Sequence, residues 1–220
     1  PAMLARVQRI SRRLIAQVGV FRPDAQHWNW EINVMATPQI NAWCMAGGRM
    51  AIYTGLIQKV DPTDDELAQV MGHEISHALA NHTAERMSVA MASQLGAMAV
   101  GIASDSAAGM AAAQGAAALA ITLPNSRSSE TEADRIGIEL AAKAGYDPRA
   151  AATLWQKMGK AGGSGPPQFL STHPAPGNRQ ATLTALAPQM MTYYEAPGAR
   201  PMYKLARSPA PTSGSKSALK

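Results

Sequence analysis

The segment His73-Glu74-Ile75-Ser76-His77 constrains this chain more than any other feature of it. Residues four apart share one face of a helix, so both imidazoles of an HExxH can aim at a single tetrahedral ion when the segment is helical. Glu74 then lies beside that face, placed to take a proton from a water that the metal has made acidic. With five histidines in the chain, a chance HExxH is expected in about one sequence in a hundred of this composition. Two histidines do not complete such a centre, because catalytic zinc takes three protein ligands and keeps a fourth position open. No third histidine follows on the next turns: position 80 is Ala and position 83 is Thr. The missing ligand is therefore acidic, from Glu130, Glu132, Asp134 or Glu139. Glu130 and Asp134 share a helical face and Glu132 points elsewhere, so one of the pair can ligate while the other holds a ligating imidazole. Spacing leaves open which does which.

The pattern around the motif predicts helices with a small sheet. Leu4, Val7, Ile10, Leu14, Ile15 and Val18 have helical spacing, closed by Gly19. Alternation from Trp28 to Val34, the run Asn41 to Met45, and Arg49 to Tyr53 after Gly47-Gly48 predict three strands. Asp61-Pro62-Thr63-Asp64 starts the motif helix, whose periodicity continues toward Met87. Residues 88–123 are rich in Ala, Gly and Met, with Asp105 their one charge, and Ser93, Gln94, Ser104, Ser106 and Gln114 interrupt the run. That favours a packed helical hairpin over a membrane span, with a lid that touches a membrane or an unfolded client as the functional alternative. Ser128 or Ser129 caps a helix through Glu130 to about Ala144, Asp147-Pro148 opens another, 159–167 is a glycine-rich loop, and helical periodicity resumes from Arg179 to Tyr194. The expected organisation is one domain over 1–199 and a basic, Pro- and Ser-rich tail over 200–220, disordered beyond Arg207.

The formal charge of +5 comes from 20 Lys and Arg against 15 Asp and Glu with no long block of either sign. Basic residues crowd both ends, which suits contact with an anionic membrane surface but more often only solvates a surface. Trp28 and Trp30 lack interleaved basic partners, so no nucleic-acid partner is expected. Cys44 is the one cysteine, excludes an internal disulfide, and between Trp43 and Met45 reads as a buried, inert thiol. His82, about 140° around a continuous helix from His77, is expected to pack or hydrogen-bond and not to share the metal. Pro1 is no start residue, which suits a removed leader.

Taken together, several motifs resemble the membrane-linked gluzincin metallopeptidases that include the CAAX prenyl proteases, HtpX, the mitochondrial Oma-type protease and the periplasmic proteases BepA and LoiP. They are Asn41-Ala42, Gly47-Gly48, Ile52-Tyr53-Thr54-Gly55-Leu56, His73-Glu74 to His77 with Ala78, Asn81-His82, Glu130-Thr131-Glu132-Ala133-Asp134 with Gly137, and Ser171-Thr172-His173-Pro174 with Arg179. The resemblance covers about residues 5–195. It implies an α+β fold, a mainly helical zincin-like domain whose small antiparallel or mixed sheet sets an edge strand beside the active-site helix. In that fold Gly48, Arg49, Met50, Ala51, Ile52 and Tyr53 would form the edge and pair with an extended peptide. It implies one Zn²⁺ per chain on His73, His77 and Glu130, Glu74 as general base, Asp134 in support of a ligand, and His173 and Arg179 on the substrate side. His173 would be a transition-state donor or a latent zinc ligand. Ala46 stands where such relatives often have Pro, which loosens the turn.

The implied function is zinc-dependent endopeptidase action, by Glu74-assisted attack of zinc-bound water, on extended or misfolded proteins in envelope or outer-membrane quality control. The implied place is the periplasm or the periplasmic side of a bacterial membrane, with contact to that surface or to envelope proteins. The competing reading is a client-binding module that keeps the zinc fold and hydrolyses little. It needs His73, His77 and Glu130 but not Glu74.

Overall fold

A computed structural model describes residues 2–104, 106–117, 123–162, 168–173 and 178–205. Helix α1 (Ala2–Ile15) buries Val7, Ile10, Leu14 and Ile15 on one stripe, while Arg6 and Arg9 hold Asp64 at 2.6 and 2.5 Å. It stops short of Val18, where 3-10 turns over Val18–Val20 and Pro23–His27 take over.

Strands β1 (Glu31–Met35), β2 (Ala42–Met45) and β3 (Arg49–Tyr53) form a mixed sheet in the order β1-β3-β2, with β1 parallel and β2 antiparallel to β3. Here the expected edge strand is corrected: Arg49–Tyr53 is the central strand. The glycine turn folds β2 back onto one side of it, with the Gly48 amide donating to Met45 O at 3.0 Å. Trp30, buried at 2% exposure, anchors β1 on the other side, where the Glu31 amide donates to Gly48 O at 3.0 Å. Gly48 adopts φ +93, and a Cβ on it would lie 2.9 Å from the Trp30 ring, so only glycine lets the indole sit there. Met50, Ala51 and Ile52 are all buried, as a strand covered on both edges and faces requires. The strand expected from Trp28 begins only at Glu31, because Trp28 and Trp30 pack on each other ahead of it.

Helix α2 (Thr54–Val60), which the pattern did not suggest, follows β3 directly. Helix α3 (Asp64–Leu79) carries the motif and opens on a reciprocal cap, in which the Glu66 amide donates to Thr63 Oγ1 and the Thr63 amide to Glu66 Oε2. Every residue from Glu66 to Leu79 is buried. The helix ends there and not near Met87. Asn81 takes the left-handed φ of +58 that Asn tolerates, and α4 (His82–Ser104) sets out afresh. Helix α5 (Ala107–Ala117) packs against α4; residues 118–122 of the expected hairpin lie outside the described ones. Among the described residues no helix is long and apolar enough to cross a membrane.

Helix α6 (Leu123–Lys143) starts before Ser128 and Ser129, which therefore lie inside it and not at its start. It crosses α3 at two glycines. A Cβ on Gly72 would lie 2.8 Å from Gly137 O, and one on Gly137 would lie 2.9 Å from His73 N. This backbone-to-backbone approach brings Asp134 and Glu130, one and two turns back along α6, up to the motif histidines. Helices α7 (Ala150–Ala161), α8 (Gln168–Thr172) and α9 (Arg179–Tyr194) close the other side. Residues 163–167 of the expected glycine loop, Pro174, and residues 206–220 of the expected tail lie outside the described residues. Within the first residues of that expected tail, the Tyr203 amide donates to Arg12 O at 2.8 Å and ties residue 203 to α1.

Candidate metal centre

Helix α3 presents His73 and His77 one turn apart, with their Nε2 atoms 3.1 Å from each other. Helix α6 brings Glu130, whose Oε2 lies 3.2 Å from His73 Nε2 and whose Oε1 lies 3.3 Å from His77 Nε2. His173, just past α8, sets its Nδ1 3.1 Å from Glu130 Oε1 and 3.3 Å from His73 Nε2. All four side chains are buried, and one ligand atom of each lies within 4.8 Å of the others. Ligands at 2.0–2.1 Å from a tetrahedral ion are roughly 3.3–3.4 Å apart along the edges of the tetrahedron. The His73–His77, His73–Glu130 and His77–Glu130 contacts are close to such edges, so these three side chains can face one ion of zinc's size, with His173 beside them. Imidazole and carboxylate are also the donors that zinc takes.

The surroundings hold these side chains in place. His73 Nδ1 lies 3.0 Å from Asp134 Oδ1, and Asp134 accepts a bond from Arg179 Nη2 at 2.5 Å. The buried Arg179 guanidinium lies over the half-buried Trp155 ring, 3.6 Å from its centre. Phe169 stacks on His173 at 4.5 Å. Burial opposes the charge of Glu130, yet hydrogen bonds from His173, His73 and His77 outweigh it and hold the carboxyl far below its usual range. Asp134 is lowered likewise, burial being overcome by His73 and Arg179. Burial takes His77 down to about 3, which keeps it in the neutral form a metal requires. For His73, burial and the Arg179 charge pull down, but Asp134 and Glu130 prevail and raise it to about 9.

Burial raises the pKa of Glu74, which stands outside the donor set. Its Oε1 is buried without a hydrogen-bond partner, 3.3 Å from His173 Nε2. A buried acceptor without a hydrogen bond can take one from a water that enters beside the cluster.

The sequence profile described as peptidase family M48 matches residues 1–187. The chain belongs to peptidase family M48. It is similar to the mitochondrial metalloendopeptidase OMA1 of Arabidopsis thaliana, 38% identical over 178 residues that cover 78% of this chain and 35% of that protein. The mitochondrial metalloendopeptidase OMA1 of Bos taurus is 37% identical over 193 residues, 82% of this chain and 36% of its own. The beta-barrel assembly-enhancing protease of Escherichia coli K12 is 35% identical over 167 residues, 69% of this chain and 33% of its own. The chain spans about a third of the length of these relatives.

In this M48 chain the structure brings His73, Glu74, His77, Glu130, Asp134, His173 and Arg179 into one buried cluster. The segment Gly48, Arg49, Met50, Ala51, Ile52 and Tyr53 is not at a free edge, since β1 and β2 flank it. The edge strand packed against α3 is β2. Cys44 on that strand is buried and free, its thiol pushed up by burial and then by the nearby Glu74 charge. His82 does hydrogen-bond, and one of its partners is His77 of the cluster at 2.9 Å, a link that a continuous helix would forbid. The readable signal was Asn81, the residue type that tolerates the reversing turn.

Proposed function

We propose that this chain is a zinc endopeptidase, holding one Zn²⁺ per chain on His73, His77 and Glu130. The observation that carries the reading is the gathering of the His73, His77, Glu130 and His173 donor atoms within 4.8 Å of one another, beside a Glu74 oxygen that makes no hydrogen bond. When bound, zinc supplies a Lewis acid that acidifies water and polarises the peptide carbonyl. Glu74 accepts the proton of the attacking water and returns it to the leaving amine. Asp134, held by Arg179, keeps His73 turned so that Nε2 faces the ligand cluster.

The substrate enters as an extended strand along β2 (Ala42–Met45), in place of the strand first expected. Support comes from the free edge of β2, its packing on α3 and the effect of Glu74 on Cys44. Replacing substrate amides by N-methyl amides removes single backbone bonds of about 1 kcal/mol, so at pairing positions KM rises about fivefold. Uniform tolerance of N-methylation along a cleaved peptide would exclude strand addition. Misfolded or extended proteins are the substrate class, and the likeness to a beta-barrel assembly-enhancing protease supports envelope quality control on the periplasmic side of a bacterial membrane.

His173 is a latch. Its Nδ1 sits among the ligand atoms and its Nε2 lies against Glu74, so it fills the fourth position and covers the base. With a peptide library and stoichiometric zinc, His173→Ala is expected to raise the basal cleavage rate several-fold with metal content unchanged. A fall of about 10²-fold instead makes His173 an oxyanion donor, and an unchanged rate removes both roles. If neither protein cleaves any peptide, the enzyme reading fails and the client-binding module takes its place.

A further inference from the structure

A second hydrogen-bonded path leaves the cluster on the side away from Asp134. His82, 1% exposed, sets Nδ1 2.9 Å from His77 Nδ1 and Nε2 3.3 Å from Glu132 Oε2. Three elements meet in this path. His77 lies in the last turn of α3, the left-handed Asn81 reverses the chain, His82 opens α4, and Glu132 reaches in from α6 with its side chain 57% exposed.

The polarity of the path follows from its outer end. A carboxylate only accepts, so His82 carries its proton on Nε2 and donates to Glu132. A neutral imidazole protonated at Nε2 is an acceptor at Nδ1, so His77 must donate from its own Nδ1. That leaves the lone pair of His77 on Nε2, the atom facing His73 and Glu130.

We propose that His82 and Glu132 are positioning residues that fix the tautomer and ring plane of His77, the counterpart of Asp134 and Arg179 at His73. This rests on the zinc-site reading above. It gives each motif histidine an outer partner, and it gives Glu132, two residues from Glu130 and turned away from the ligand atoms, a link to His77 through His82.

The alternative is that His82 only fills space, and two substitutions separate the roles. His82→Asn keeps an acceptor oxygen near the Nδ1 position and loses ring volume; His82→Phe keeps the ring and loses the acceptor. Zinc affinity, measured by competition with a chromophoric chelator, should fall about 10–100-fold in His82→Phe and by less in His82→Asn. Glu132→Gln, which still accepts, should stay within about twofold of wild type, and Glu132→Ala should lie between it and His82→Phe. In the unmodified zinc-loaded chain, nitrogen-15 spectra of the histidine rings should show Nδ1–H on His77 and Nε2–H on His82. Affinity lower in Asn than in Phe, wild-type affinity in Phe, or a proton on His82 Nδ1 each overturns the relay. Should His82→Phe fail to fold, the ring spectra of the unmodified chain and the Glu132 pair decide. A wild-type chain that binds no zinc defeats the site reading itself, whereas tight zinc with the wrong His82 tautomer defeats the relay alone.

Discussion

Glu74→Gln cuts peptide hydrolysis by at least about 10²-fold while zinc stays at one per chain. The two halves of this result come from different features of the site. Glu74 is 3% exposed and burial raises its pKa, which makes its carboxylate a stronger base than a solvated one. Gln matches its size and polarity, but its amide oxygen cannot take a proton from water, so the loss falls on the chemical step. None of the metal-facing contacts uses Glu74, which is why the metal should remain. Turnover and metal content measured on one preparation decide the matter. Undiminished turnover removes Glu74 as the base, and joint loss of zinc and activity means that the site has collapsed. Client binding without hydrolysis would be indifferent to this substitution.

How much of this site the sequence discloses depends on the range of each contact. The motif helix is legible because its cap, its period and its two histidines are local: Thr63, Glu66, His73 and His77 lie within four turns. Glu130 is legible only as one of several acids, since what selects it is the crossing of α3 and α6 at Gly72 and Gly137, a contact between residues 65 apart in sequence. The sheet shows the limit clearly. Alternation finds β1 and the runs around Gly47-Gly48 find β2 and β3, but the parallel pairing of β1 with β3 is a tertiary choice that places Arg49–Tyr53 in the centre. The end of α3 is missed for the opposite reason. Apolar periodicity runs on past Leu79, and one left-handed Asn overrides it. Helix α2 is seven residues long, too short for a period to stand out.

The largest loss of metal is expected from Glu130, in a form that also tests the place given to His173. Glu130 is 1% exposed and touches three imidazoles, so Glu130→Ala removes one ligand and leaves His73, His77 and His173 without their shared acceptor. Outer partners of metal ligands are worth about 10–100-fold in affinity, so loss of a bonded ligand should exceed that range. Binding need not vanish, because His173 Nδ1 already lies 3.3 Å from His73 Nε2 and can complete a three-histidine set. The single variant should therefore keep weak zinc binding, and Glu130→Ala with His173→Ala should bind none at micromolar metal. Glu132→Ala should retain stoichiometric zinc, because its carboxylate meets His82 and not the ligand cluster. Metal titration of the three proteins reads all of this directly. Full zinc affinity in the double variant would move the third ligand to Asp134, and with it the whole division of labour between the carboxylates of α6.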